Sequence, residues 1–382
     1  MPIPPAVYIQ TQAELNALVT TLMAEPLVAI DTESNSLHAY RERVCLIQLS
    51  TASIDAIIDP LTIPDMQPLA PLMASAQVEK VFHAAEYDIM CLKRDFGYTF
   101  ANIFDTMVAA RVIGYKSIGL SALLETYMGV VLDKAHQRDD WGERPLPADS
   151  LAYAQMDTHY LPQLREILHE KLKEDGRLEE AVELFEELPH LPAAELREFD
   201  PEGYWKLGMP QYLKRYQMSI LREIYLLREE IAQERDLPPF KVLVNKQLVT
   251  LATAAPRRLS DLAALGGMPS SFIRRYGHRL LEAIERGQAN AANLGSPPRH
   301  EPPDPVVTDR YAALHAWRRD RAAQRGVESD VIISKTTLWD LAYKAPTTWE
   351  GLQTIRGLGP WRLNAYGEEI LNVLEQSRTL SE

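Results

Sequence analysis

The chain has 382 residues, 46% of them apolar and 24% charged, with a formal net charge of −13 and only two cysteines. That length exceeds one ordinary core, so two or three domains are expected. Cys45 and Cys91 lack metal-type spacing, which argues against a cysteine-based zinc site, and no apolar run approaches the ~20 residues of a membrane-spanning helix. With no signal peptide at the N-terminus, the two thiols are expected to be buried, in a cytoplasmic protein with no membrane partner.

Residues 1–165 alternate β-type runs with helical segments. Leu27–Ile30, Val44–Leu49, Ile54–Ile58 and Val78–Phe82 read as strands, rich in Val, Ile and Leu and bounded by turn residues. The first three follow one another too closely for crossover helices, which predicts an antiparallel meander. Helices are expected at Ile89–Leu92, at Ser121–Tyr127 behind a Ser N-cap, and at Ser150–Leu168, where Pro162 kinks or restarts the helix. A mixed sheet with flanking helices follows, and the class is α/β.

Four carboxylates stand out in this part. Asp31 and Glu33 end the first strand at spacing i, i+2, which points both side chains to one face. Asp88 closes the block Val81-Phe82-His83-Ala84-Ala85-Glu86-Tyr87-Asp88, and Asp157 lies one helical turn after Tyr153. If these segments meet, they form an all-oxygen cluster suited to two hard divalent cations, Mg²⁺ or Mn²⁺, the pair that phosphodiester hydrolysis uses. Without cations the four acids repel one another and their pKa values rise. Each piece also has a plain reading: a strand end reaching solvent, a solvated helix face, an i, i+4 pair on one helix. The plain readings weaken together, because three separate segments stand in fixed order in strand, helix-start and helix contexts.

From about residue 166 the strand signal ends. Residues 166–205 carry 13 acids against 4 bases, a net of −9, with an acidic helix over Leu178–Leu188 broken by Pro189-His190-Leu191-Pro192. Residues 211–290 carry 13 bases against 8 acids, a net of +5, whereas residues 305–378 carry 10 against 9. Charge is screened beyond about 8 Å, so one basic module can hold phosphate within an acidic protein, although a solvated helical surface gives the same count. A shift of 90 residues aligns Arg228 with Arg318, Leu248 with Leu338, Pro256 with Pro346, Gly267 with Gly357 and Tyr276-Gly277 with Tyr366-Gly367. Two copies of one small all-helical bundle follow. The Pro-rich run Ser296–Pro303 reads as the linker between them.

The acidic blocks resemble the three motifs of the DEDD 3′–5′ exonuclease superfamily: D-x-E at Asp31-Thr32-Glu33, an Asp entering a helix at Asp88, and Y-x-x-x-D from Tyr153 to Asp157. The histidine branch would place His five residues before the last Asp. That position is Ala152, so the tyrosine branch is preferred, and His159 is left as a helix-surface or supporting residue. Phe104-Asp105-Thr106, Gln137-Arg138-Asp139-Asp140-Trp141 and Arg144-Pro145-Leu146 resemble the ribonuclease D family specifically. The repeated bundle resembles the HRDC domain of that family and of RecQ helicases, so the resemblance covers nearly the whole chain.

It implies a ribonuclease H-like exonuclease domain over 1–170, an acidic connector over 171–210, HRDC bundles over 211–290 and 305–378, and a linker over 291–304. It further implies that Asp31, Glu33, Asp88 and Asp157 hold two metal ions. Tyr153 would orient the attacking water, its ordinary pKa near 10 making it a poor base. The substrate would be RNA 3′ ends, in tRNA precursors and other small structured RNAs, with nucleoside 5′-monophosphates released singly. Preference for RNA would rest on the terminal 2′-hydroxyl. Lys241, Lys246, Arg257, Arg258, Arg274 and Arg275 of the first bundle are candidate RNA contacts, and the second, less basic bundle is expected to brace rather than bind. Phe82, Trp141 and Tyr276 are either stacking platforms or, more in keeping with their surroundings, core residues. A DNA exonuclease of the Werner-helicase type shares these motifs. A decayed nuclease that only binds nucleic acid is opposed by the presence of all five motif residues. A monomer is the default.

Overall fold

The computed structural model describes residues 3–133, 135–196, 198–207, 212–298 and 302–379. Residues 197 and 208–210 of the expected connector, residue 211 at the start of the expected first bundle, and residues 299–301 of the expected linker lie outside the described residues. The N-terminal part is a six-stranded sheet of β1 (Val7–Ile9), β2 (Leu27–Ser34), β3 (Val44–Ser50), β4 (Asp55–Ile58), β5 (Glu79–Phe82) and β6 (Ile103–Asp105). Its order is β1-β4-β3-β2-β5-β6. The three strands joined by short connections, β2 to β4, are antiparallel, as that brevity requires. β1 joins β4, β5 joins β2 and β6 joins β5 in parallel, which makes the sheet mixed. β1 and β6 were not legible in the sequence, since three residues are too few to show a period.

β3 is buried along its whole length and so reads as continuous apolar sequence rather than alternation. On β2 the alternation is clear. Val28 and Ile30 enter the core under helix Gln12–Leu22, while Ala29 enters the core on the opposite face, with Leu161, Leu164 and Leu168. The period of two therefore puts Asp31 and Glu33 on the Ala29 side. Pro162 does restart a helix: Ala148–His159 stops, Tyr160 intervenes, and Leu161–Glu174 begins with Pro162 in its first turn. Ser121 is not an N-cap, because helix Leu120–Met128 starts one residue earlier, behind Gly119. Phe82, Trp141 and Tyr276 are all buried, which favours core packing for each, and both cysteines are buried and form no disulfide.

The two helical copies match element by element. Arg215–Glu234, Pro239–Val242, Asn245–Ala254, Leu259–Ala264 and Ser270–Ala289 correspond to Pro305–Arg325, Ser329–Ile332, Lys335–Lys344, Trp349–Gln353 and Pro360–Thr379. The shared arginines have one job. Buried Arg228 donates to Leu243 O at 3.1 Å, and buried Arg318 donates to Ile333 O at 3.0 Å, 90 residues on in both partners. By compactness the chain forms two units: Met1–Ser34, Val44–Ala194 and Pro302–Glu382 in one, Asn35–Arg43 and Glu195–Glu301 in the other. No helix among the described residues is long and apolar enough to cross a membrane.

Candidate active site

Three elements bring the four carboxylates together. Asp31 and Glu33 stand at the end of β2, where the pairing with β3 shifts register just after Glu33. Asp88 lies in the first turn of helix Glu86–Phe96, and Asp157 and Tyr153 share helix Ala148–His159. Carboxylate oxygens of Asp31, Glu33 and Asp157 lie within 4.8 Å of one another. Asp88 is 8% exposed and accepts a hydrogen bond from the hydroxyl of Thr32, the residue between the first two acids.

Burial and mutual repulsion both act on this cluster. Burial, then Asp157, pushes Asp31 well above the usual carboxylate range. Burial, then Asp31, does the same to Asp88. Burial and the neighbouring carboxylates raise Glu33 to about 10, and burial raises Asp157 to about 7. An all-oxygen set so poorly neutralised is what a hard divalent cation relieves, and the donor set fits Mg²⁺ or Mn²⁺.

Tyr153 is tied to Asp157 by a side-chain hydrogen bond, and its pKa is raised by burial first and then by the carboxylates around it. The phenol therefore stays protonated. Its ring lies 6.2 Å from those of both His136 and Trp141. His136 Nδ1 contacts Asp139 Oδ2 at 2.8 Å, and the Ser150 hydroxyl donates to the same oxygen at 2.7 Å, fixing this loop to the helix that carries Tyr153. His159, which the motif left unplaced, pairs with Asp55 at 2.7 Å.

The turn before Asp88 is strained and clamped. Ala84 sits in the left-handed region at φ +66°, an unfavourable place for a residue with a Cβ. Asp105, fully buried, accepts from Ala84 N at 3.2 Å and Ala85 N at 2.7 Å. It also caps helix Thr106–Ile113 through Met107 N and Val108 N at 2.8 and 3.1 Å. One carboxylate thus fixes both the turn and the next helix. His83 heads that turn and, with Ser121, Gln137, Tyr153 and Asp157, lines a cleft of about 340 Å³, the size range of small-ligand sites. His83, Asp105 and Asp139 lie inside the motif-bearing segments, but their parts are not legible there. Their signal was position, at a strand end, a strand-to-helix junction and a loop, and position alone does not say what a side chain faces.

The six basic candidates are all exposed. Arg258 is paired with Asp261 at 3.0 Å, Lys241 contacts His38 at 3.0 Å, and Arg275 lies over the ring of Tyr276.

Family comparisons cover the same parts. A 3′–5′ exonuclease model matches residues 6–173, and an HRDC domain model matches residues 217–284 and 307–374. Ribonuclease D of Gluconacetobacter diazotrophicus is 31% identical over 99% of this chain and 94% of its own, and that of Pseudomonas paraeruginosa is 30% identical over 97% and 98%. The chain belongs to the ribonuclease D family. It is a 3′–5′ exoribonuclease, a hydrolase whose exonuclease fold implies dependence on divalent metal. Among solved structures, the exoribonuclease RNase D of Escherichia coli matches with a TM-score of 0.65 at 26% identity over 98% of this chain and 99% of that one. The catalytic core of RRP6 from Trypanosoma brucei gives 0.68 at 30% identity over 75% and 80%. The first of these relatives supports the fold of the full ribonuclease D architecture, helical copies included.

Proposed function

We propose that this ribonuclease D family member trims extra 3′ residues from tRNA precursors and other small structured RNAs, releasing nucleoside 5′-monophosphates one at a time. The observation that carries this reading is the convergence of Asp31, Glu33 and Asp157 within 4.8 Å, with Asp88 and Tyr153 beside them. Asp31, Glu33, Asp88 and Asp157 would hold two Mg²⁺ or Mn²⁺ ions. When bound, such ions neutralise transition-state charge, activate the attacking water and stabilise the departing 3′ oxygen.

The chain's own groups supply order. Tyr153, kept neutral, orients the water and does not remove its proton. The Asp105 clamp holds the Asp88 helix start in place, and Thr32 fixes the Asp88 carboxylate. The exposed basic residues of the first helical copy are suited to backbone phosphate without base preference. The protein acts as a cytoplasmic monomer in this reading.

Matched RNA and DNA strands with 3′ extensions, digested side by side in Mg²⁺ or Mn²⁺, test it. RNA should shorten faster, with 5′-monophosphates as products and no shortening in EDTA. Faster loss of DNA would favour the Werner-type alternative. Tyr153→Phe should slow hydrolysis roughly 10- to 100-fold with metal affinity nearly intact, since it removes the hydroxyl that orients the attacking water. An unchanged rate would remove the tyrosine from the mechanism.

A further inference from the structure

The hydrogen bonds around Thr106 decide the state of His83. Thr106 Oγ1 lies 2.9 Å from Phe82 O and 2.9 Å from His83 Nδ1. A threonine hydroxyl carries one proton, and a carbonyl oxygen can only accept. If that proton went to His83, Phe82 O and Thr106 Oγ1 would face each other at 2.9 Å as two acceptors. The proton must therefore go to Phe82 O. His83 Nδ1 is then the donor to Thr106 Oγ1, and in the neutral ring Nε2 is left with a bare lone pair. Thr106 is fully buried, so neither bond is open to exchange with water.

We infer that His83 is the residue that reads the terminal ribose, its Nε2 accepting a hydrogen bond from the 2′-hydroxyl of the nucleotide being removed. His83 lines the cleft that Tyr153 and Asp157 also line, so its free face shares a chamber with the hydrolytic groups. A ribose hydroxyl is a donor, and deoxyribose has no counterpart. An acceptor with a fixed tautomer can therefore tell the two apart, whereas a rotatable hydroxyl such as that of Ser121 would adapt to either. Burial favours the uncharged ring over the doubly protonated one, which keeps Nε2 an acceptor. The ring cannot swing away without giving up Thr106, and its backbone is held by the Asp105 clamp on the next two residues.

This assignment rests on the exonuclease reading above, and the test separates the two. Two RNA strands that differ only at the last sugar, 2′-hydroxyl or 2′-fluoro, are digested in Mg²⁺; fluorine keeps the sugar pucker but cannot donate. Wild-type protein should remove the hydroxyl-bearing residue about tenfold faster, the value of one discriminating hydrogen bond. His83→Asn keeps a donor for Thr106 near the Nδ1 position but has no atom at Nε2, so the ratio should fall to about one, by loss on the hydroxyl strand alone. His83→Gln places an amide oxygen near Nε2 and should retain most of the preference. An unchanged ratio in His83→Asn, or its loss in His83→Gln, overturns the assignment while leaving the exonuclease reading in place. A wild-type protein that shortens neither strand overturns both.

Discussion

The two helical copies are built alike and use their charge differently. Each caps its interior with the same buried arginine, Arg228 or Arg318, and each ends its middle helix on an alanine in the left-handed region, Ala255 or Ala345. In the second copy the start of helix Pro360–Thr379 receives the Glu183 carboxylate of the acidic helix Leu178–Glu187. Trp361 N donates to it at 2.6 Å and Arg362 Nη1 at 2.8 Å. Gly359 makes room, since a Cβ there would come within 2.4 Å of Glu183. Arg325 grips the buried Glu180 with two hydrogen bonds of 2.6 and 2.5 Å. In the first copy the places of Trp361 and Arg362 are taken by Ser271 and Phe272, while Arg274 and Arg275 remain exposed. The second copy thus spends Arg325 and Arg362 on buried carboxylates of the acidic helix, whereas the first copy carries no arginine at the place of Arg362 and presents Arg274 and Arg275 at its surface. Part of the chain's acidity is neutralised inside the molecule.

Three experiments bear on that contrast. The largest effect should come from Glu183→Ala, which takes from the buried Arg362 its nearer carboxylate at 2.8 Å, leaving only Glu187 at 3.6 Å, and should cost about 3–5 kcal/mol in urea unfolding. Phe272→Ala, at the matching place in the first copy, is half-buried and should cost only about 1–2 kcal/mol. Equal costs would erase the distinction. Next, reversing Arg257, Arg274 and Arg275 to Glu should weaken RNA binding about tenfold or more and flatten its salt dependence by roughly one unit of slope per lost phosphate contact. Reversing the exposed Arg319 and Lys335 of the second copy should leave both unchanged, and a matching loss there would show that the second copy binds too.

The smallest effect separates the acidic site from both copies. Glu33 and Asp157 are raised to about 10 and about 7, so in metal-free protein they remain protonated where the unfolded chain has already ionised. Their contribution to stability is full below the ordinary carboxylate range and is lost as pH rises through 7 and on towards 10. Mg²⁺ offsets that loss, so the stabilisation it gives, followed as a rise in melting temperature, should grow from pH 6 to pH 9 by about 1 kcal/mol or more. A gain independent of pH would place the metal elsewhere.

Long, periodic or motif-bearing segments were legible in the sequence. The acids on β2 announced their shared face through i, i+2 spacing, and the 90-residue repeat announced the paired bundles before any contact was known. Two kinds of feature were not. β1 and β6 are too short to show a period, and they form only because a neighbouring strand offers a free edge. Asp105, His83 and Glu183 act through partners 20 or more residues away, and local pattern carries no trace of such pairs. Glu183 in particular is one acid among several in the acidic helix, with nothing local to mark it.

The central claim is that the carboxylate cluster, charged with divalent metal, removes nucleotides from RNA 3′ ends. The most direct measurement compares wild-type protein with Asp31→Ala on a tRNA bearing a 3′ extension, at saturating Mg²⁺ and again in EDTA. Loss of a ligand for the catalytic metal should lower the rate at least about a thousandfold, several kcal/mol of transition-state stabilisation, with RNA affinity in EDTA unchanged. Trimming by Asp31→Ala at the wild-type rate, or by the wild-type protein in EDTA, would contradict it.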